Sequence, residues 1–259
     1  MKTYMHKMIK RSLLICLILV GIQMSSLFMS DVPKEANMGY VTYFTIQNSS
    51  RELLYTIVLI LLLPSFSLLD EFESVKNHHH YMTITRIGYK EYLKRTLLTT
   101  FMTAFLSRLL TELAAVNCIH FFYSRFDFQE LLGYMVLVND SPLVNTAVYI
   151  VLASLGTGVF SCFWFSLIQF INNKYIYRGI MILWQFIAMI GASFLVSLFN
   201  THTEKAFAVL TAFVPTSLMT PGQIYESQCI LNFSCALFVY GFLTMILLFV
   251  TYKERLKHA

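Results

Sequence analysis

The chain has 259 residues, 57% of them apolar and 13% charged, with 23 Phe and 15 Tyr. A soluble domain carries about 25% charged residues. Half that share, with a mean hydropathy of +0.63, excludes an ordinary soluble fold and leaves a multi-span membrane protein.

Six stretches have the length and apolarity of a spanning helix, for which about 20 residues suffice. The first, residues 12–30, follows "MKTYMHKMIKR", in which Tyr4, Met5, Met8 and Ile9 alternate with Lys and His as in a short amphipathic lead-in. A basic start and an apolar centre also suit a secretory signal. The apolar run, however, continues through Leu27, Phe28 and Met29 with a poor cleavage pattern, so the stretch is read as a retained anchor. The outer loop, 31–52, is polar and carries no motif. The second span, 53–69, is short and contains Pro64, which predicts a kink or a broken end.

Next comes "EFESVKNHHHYMTITRIGYKEYLKR", residues 71–95, the most polar part of the chain. Phe72, Val75, His79 and Met82 recur at offsets 0, 3, 7 and 10, a single stripe along a helix. Asp70, Glu71 and Glu73 cluster at its start, where the helix dipole favours acids. Gly88 interrupts the pattern, and Tyr89, Tyr92, Leu93 and Thr96 resume it into the third span, 96–122. The expectation is a short helix along the membrane, a break, and a basic helix rising into lipid. Three consecutive histidines, 78–80, point in different directions around a helix and do not converge as metal ligands must, so no metal site is expected.

Arg108 and Glu112 lie near the middle of the third span at i, i+4 and share one helix face. Unpaired charges there are costly, so the two are expected to pair, with Gln23 or Gln185 as candidate partners from other spans. The pair either holds the bundle together or marks a polar point on a substrate path or subunit interface. A single carboxylate beside an arginine stays ionised, so no proton relay is expected. The fourth span, 143–171, is long enough to tilt or to break near Gly156 and Gly158, and carries a small-residue patch at Ser154, Thr157, Gly158 and Ser161. The fifth is 179–199. Within 201–228, "AFAVLTAFVPTSLM" is 14 residues long, too short to span, which reads as a re-entrant segment or an amphipathic surface helix. The sixth span is 229–251.

With the N-terminus inside, the inner segments hold 14 Lys and Arg and the outer loops four, with Arg108 within a span. That asymmetry gives six spans with both ends cytoplasmic and accounts for the net charge of +5 without nucleic acid. The five cysteines form no C-x-x-C and no metal-ligand spacing. No G-x-x-x-x-G-K-[ST], H-E-x-x-H or G-x-S-x-G occurs, so no enzyme is expected on this chain alone.

The layout resembles the permease subunit of ABC-2 type (type V) ABC exporters, taken as one transmembrane domain over 1–259. The shared features are a short amphipathic N-terminus, a helix-bearing cytoplasmic loop between spans two and three, and a re-entrant segment before span six. "TRIGYKEYLKR" is similar to that family's R-x-G-x-x-x-[YF] approach to span three, with Arg86, Gly88 and Tyr92 in those places. The resemblance implies a coupling helix formed by Phe72, Val75, His79, Met82, Arg86, Gly88 and Lys90, docked on a separate ATP-binding subunit that holds ATP and Mg. It also implies a second permease subunit, identical or related, in a bacterial plasma membrane, with an amphipathic or hydrophobic cargo such as a bacteriocin-like peptide. The rival expectation is a non-transporting immunity or sensor protein that binds a toxin or partner directly.

Overall fold

The computed structural model describes residues 2–29, 39–48, 55, 57–59, 68–77, 80–126, 141–171, 173–199, 203–222 and 228–257. Every regular element among them is helical. In chain order they are α1 (Lys2–Met29), α2 (Gly39–Asn48), α3 (Leu69–Lys76), α4 (His80–Ile87), α5 (Tyr89–Phe122), α6 (Pro142–Leu167), α7 (Lys174–Leu198), α8 (Glu204–Leu210), α9 (Pro215–Met219) and α10 (Cys229–Lys257). Among the described residues four helices are long and apolar enough to cross a membrane: Tyr89–Phe122, Pro142–Leu167, Lys174–Leu198 and Cys229–Lys253. Most of the predicted second span, 53–69, lies outside the described residues, as does His79 of the predicted stripe.

The outward faces of these helices are apolar, as in a membrane protein. Leu183, Ile187, Ile190 and Phe194 of α7 and Phe238, Phe242, Met245 and Phe249 of α10 are all exposed. Several outward polar side chains satisfy themselves on their own helix. Thr99 Oγ1 donates to the Arg95 carbonyl, Thr103 Oγ1 to that of Thr99, and Asn117 Nδ2 to that of Leu113, each at 2.7 Å. Ser193 Oγ does the same to Met189 at 3.0 Å. Such bonding back to the helix also suits hydrocarbon, where polar side chains find no water.

α5 is the hub, packed against α1, α2, α4 and α6. α6 is the most enclosed of the four long helices and is continuous through Gly156 and Gly158, so no break occurs there. Both glycines serve close packing: a Cβ at Gly158 would meet the Phe101 ring at 2.7 Å, and one at Gly156 would strike the Leu218 backbone of α9. The lead-in at residues 2–11 is not a separate interfacial helix but the first turns of α1.

The segment before α10 forms two short helices, α8 and α9, whose link and second helix, 211–222, are buried except for the half-buried Phe213. Pro215 opens α9 at its first position, where its missing N–H costs nothing. Broken backbone inside an apolar protein needs side-chain partners, and α10 supplies them. Asn232 Nδ2 donates to the Ala208 carbonyl at 2.6 Å and to Thr211 Oγ1 at 2.9 Å. Tyr240, eleven residues into α10, donates to the Phe213 carbonyl at 2.7 Å and accepts from Trp184 Nε1 at 3.0 Å.

Candidate functional site: a buried polar junction and a jointed inner arm

Arg108 and Glu112 are fully enclosed, with 0% of either side chain exposed, and their Nη2 and Oε1 atoms stand 2.8 Å apart. Burying two charges is favourable only when hydrogen bonds satisfy what the pair leaves over. Tyr43 Oη donates to Glu112 Oε2 at 2.6 Å, Gln47 Nε2 to the same oxygen at 3.1 Å, and Tyr55 Oη to Oε1 at 3.3 Å. Arg108 Nη1 in turn donates to Tyr55 Oη, and its guanidinium carbon lies 5.3 Å from the Tyr55 ring centre. Tyr149 of α6 extends the chain by donating to Gln47 Oε1 at 3.1 Å. The junction thus ties α5, α2, α6 and Tyr55 together at one level.

Sequence reasoning paired Arg108 with Glu112 but named Gln23 and Gln185 as candidate partners, and here the structure differs. Gln185 bonds Thr216 of α9 at 3.5 Å, and Gln23 has no hydrogen-bond partner among the described residues. The partners come instead from α2, inside the stretch taken as a polar outer loop. The signal was present: Tyr40, Tyr43, Phe44 and Gln47 stand at offsets 0, 3, 4 and 7, one helical stripe, and all four are buried. Ten residues with several hydroxyls and amides are too short and polar to register as apolar, yet those hydroxyls are what a buried carboxylate requires.

The entrance to α2 is also fastened. The Gly39 N–H donates to the Arg125 carbonyl at 3.0 Å, and a Cβ on Gly39 would lie 2.8 Å from Ser124 O and from the Phe126 ring. Phe126 is held by its own N–H, which donates to His120 Nδ1 at 3.1 Å.

At the other end of α5 the predicted single stripe of 72–82 is split. α3 ends at Lys76 with Asn77 in a turn, and α4 begins at His80. Phe72 and Val75 are turned into the chain's own core, where Phe72 lies 5.2 Å from the Tyr177 ring. Lys76 lies over the Phe72 ring at 5.8 Å, and partial burial lowers its pKa from the usual lysine value. On α4, Ile84 and Ile87 pack inward, while Met82 is 68% exposed and Tyr81 and Arg86 are also open. At 100° per residue, Met82 and Arg86 point away from the core side of α4. Gly88 joins α4 to α5 with φ 81° and ψ 151°, a region essentially restricted to glycine. Beyond it Lys90 and Lys94 are exposed, and Glu91 and Arg95 form an exposed pair at 2.8 Å. Among the described residues no group of three or more His, Cys, Asp or Glu side chains is placed to hold a metal.

No protein-family profile matches the chain. It is similar to an uncharacterized protein of Bacillus subtilis (strain 168), YybM, at 22% identity over 228 residues, covering 81% of this chain and 89% of that one. No solved structure matches.

Proposed function

We propose that the chain is the membrane-spanning subunit of an ATP-driven transporter of the ABC exporter kind, crossing the bacterial plasma membrane six times with both ends inside. ATP is hydrolysed on a separate subunit, and a second permease subunit completes the path. The single observation that carries the reading is the continuity from α4 to α2. An exposed two-turn arm is jointed at Gly88 to a 34-residue helix, and that helix grips α2 through Glu112. A push on α4 reaches the opposite end of α5 as rigid movement of a packed element, the kind of motion by which a nucleotide-driven partner gates a path. Cargo is read from the surroundings: aromatic-rich, apolar helices suit an amphipathic peptide.

The arm's geometry refines which residues meet the partner. Phe72 and Val75 secure α3 to the bundle, so the docking face is Met82 with Tyr81, Arg86 and Lys90. The test is purification of the tagged chain from its native host in mild detergent, followed by mass spectrometry. A P-loop ATPase in stoichiometric amount, lost on Met82→Asp combined with Arg86→Glu while the protein stays folded, supports the reading. Wild-type protein that purifies intact without an ATPase overturns it in favour of an immunity or sensor protein acting through direct binding.

A further inference from the structure

The polar junction is not closed on every side. Gln23 is 2% exposed, and neither its amide oxygen nor its nitrogen has a hydrogen-bond partner among the described residues. Ser107 Oγ and Arg108 Nε are in the same condition, at 1% and 0% exposure. Leaving a buried polar group unsatisfied costs about 1–3 kcal/mol, more for a charged one. Three on neighbouring elements therefore need a common explanation.

Their positions converge. On α1, Leu19 packs in the cluster that contains Tyr55 and Ala104, and Leu27 in the cluster that contains Tyr43 and Ala115. Gln23 stands midway between them on the same face of α1, the long helix packed on the flank of α5. On α5, Ser107 lies about 120° around the helix from Phe101, which meets α6 at Gly158. That flank is turned away from α6, and α1 is the other long helix packed on α5. Gln23 and Ser107 have complementary donors and acceptors yet do not bond each other. A small polar group held between the two helices would satisfy both.

We infer that Gln23, Ser107 and the Nε edge of Arg108 form a hydrated slot between α1 and α5, which takes water and hydrogen-bond-accepting groups such as carbonyls or carboxylates. Intramembrane polar groups of this kind face a wet cavity when they do not face each other. Assigning the accepting group to a transported molecule rests on the transporter reading; the slot itself does not.

The experiment is cysteine accessibility in a background with the five native cysteines replaced, in membranes. Ser107→Cys and Gln23→Cys are treated with an anionic and a cationic methanethiosulfonate, with exposed Thr203→Cys as the positive control. Such reagents modify the thiolate, which forms where water reaches the sulfur. The slot predicts modification at 107 and 23, with the anionic reagent at least as fast as the cationic one. It also predicts that Gln23→Leu abolishes modification of Ser107→Cys. Unmodified 107 and 23 beside a modified 203 overturn the inference, and so does clear preference for the cationic reagent. If one cysteine variant fails to fold, the other decides. ATPase co-purification is read separately, so loss of the transporter assignment and loss of the slot are distinguishable.

Discussion

The Tyr43 hydroxyl donates to Glu112 Oε2 at 2.6 Å, joining residues 69 apart in sequence. A carboxylate in the middle of α5 is thereby the anchor of α2, and Gln47 repeats the attachment one turn further along. Tyr43→Phe removes one charge-assisted bond while keeping the ring that packs on Phe44, Phe126 and Tyr149. The expected loss is about 1.5–3 kcal/mol, measured as a lower melting temperature in detergent. Tyr149→Phe, which removes a neutral bond to Gln47, should cost less. Equal or absent effects would mean that α2 is held by its rings alone.

Arg108 and Glu112 should behave as a unit. Removing one partner leaves the other charge buried without its counterion, at about 3–5 kcal/mol, whereas replacing both by apolar residues of similar volume is often far less costly. Arg108→Met and Glu112→Leu are therefore each expected to be severely destabilising, and the double variant less so than either single change. Thermal melts of all four proteins give the coupling. Additive losses would show that the pair contributes through its separate bonds to Tyr55 and Tyr43 rather than as an ion pair.

Gly88 is a joint that only glycine makes without strain. With φ 81° and ψ 151°, a Cβ costs about 1–3 kcal/mol whatever the free space, and nothing stands within 4 Å of that Cβ position. The penalty is thus purely conformational and is relieved if α4 swings to a new angle. Gly88→Ala is expected to leave insertion and the α5 core intact while changing protease accessibility at the exposed Arg86 and Lys90. Unchanged accessibility together with an unchanged melt would remove the mechanical reading of the joint.

Where sequence and structure agree, the reason is local chemistry. The apolar runs at 96–122, 143–171, 179–199 and 229–251 are the four helices long and apolar enough to cross a membrane among the described residues, and Pro215 with Pro221 and Gly222 marked the broken segment that α10 braces. Arg108 and Glu112 were legible because i, i+4 spacing on one helix fixes their proximity. Tyr43, Gln47 and Tyr55 were not, because their role depends on which surface meets α5; composition alone placed Tyr43 and Gln47 in a polar loop and Tyr55 in an apolar span. The amphipathic stripe at 72–82 misled for a related reason. Period alone shows that Phe72, Val75 and Met82 can share a face, but the turn at Asn77 sends the first two inward and the last outward.

The glycines separate packing from flexibility. A Cβ at Gly156 would strike the Leu218 carbonyl and lie 2.7 Å from its carbon, backbone atoms that cannot yield as a side-chain tip does. α9 would have to move, and Tyr240 would then lose the Phe213 carbonyl it holds in the α8–α9 link. Gly156→Ala is therefore expected to cost at least the 1–3 kcal/mol typical of overpacking, with added labelling of cysteines placed in 211–222. Gly21, on the open face of α1, meets nothing within 4 Å. Gly21→Ala should be neutral or stabilising by up to about 1 kcal/mol through helix propensity. A melt that falls for Gly156→Ala and holds or rises for Gly21→Ala confirms that α9 is seated directly on α6; equal responses would place α9 elsewhere.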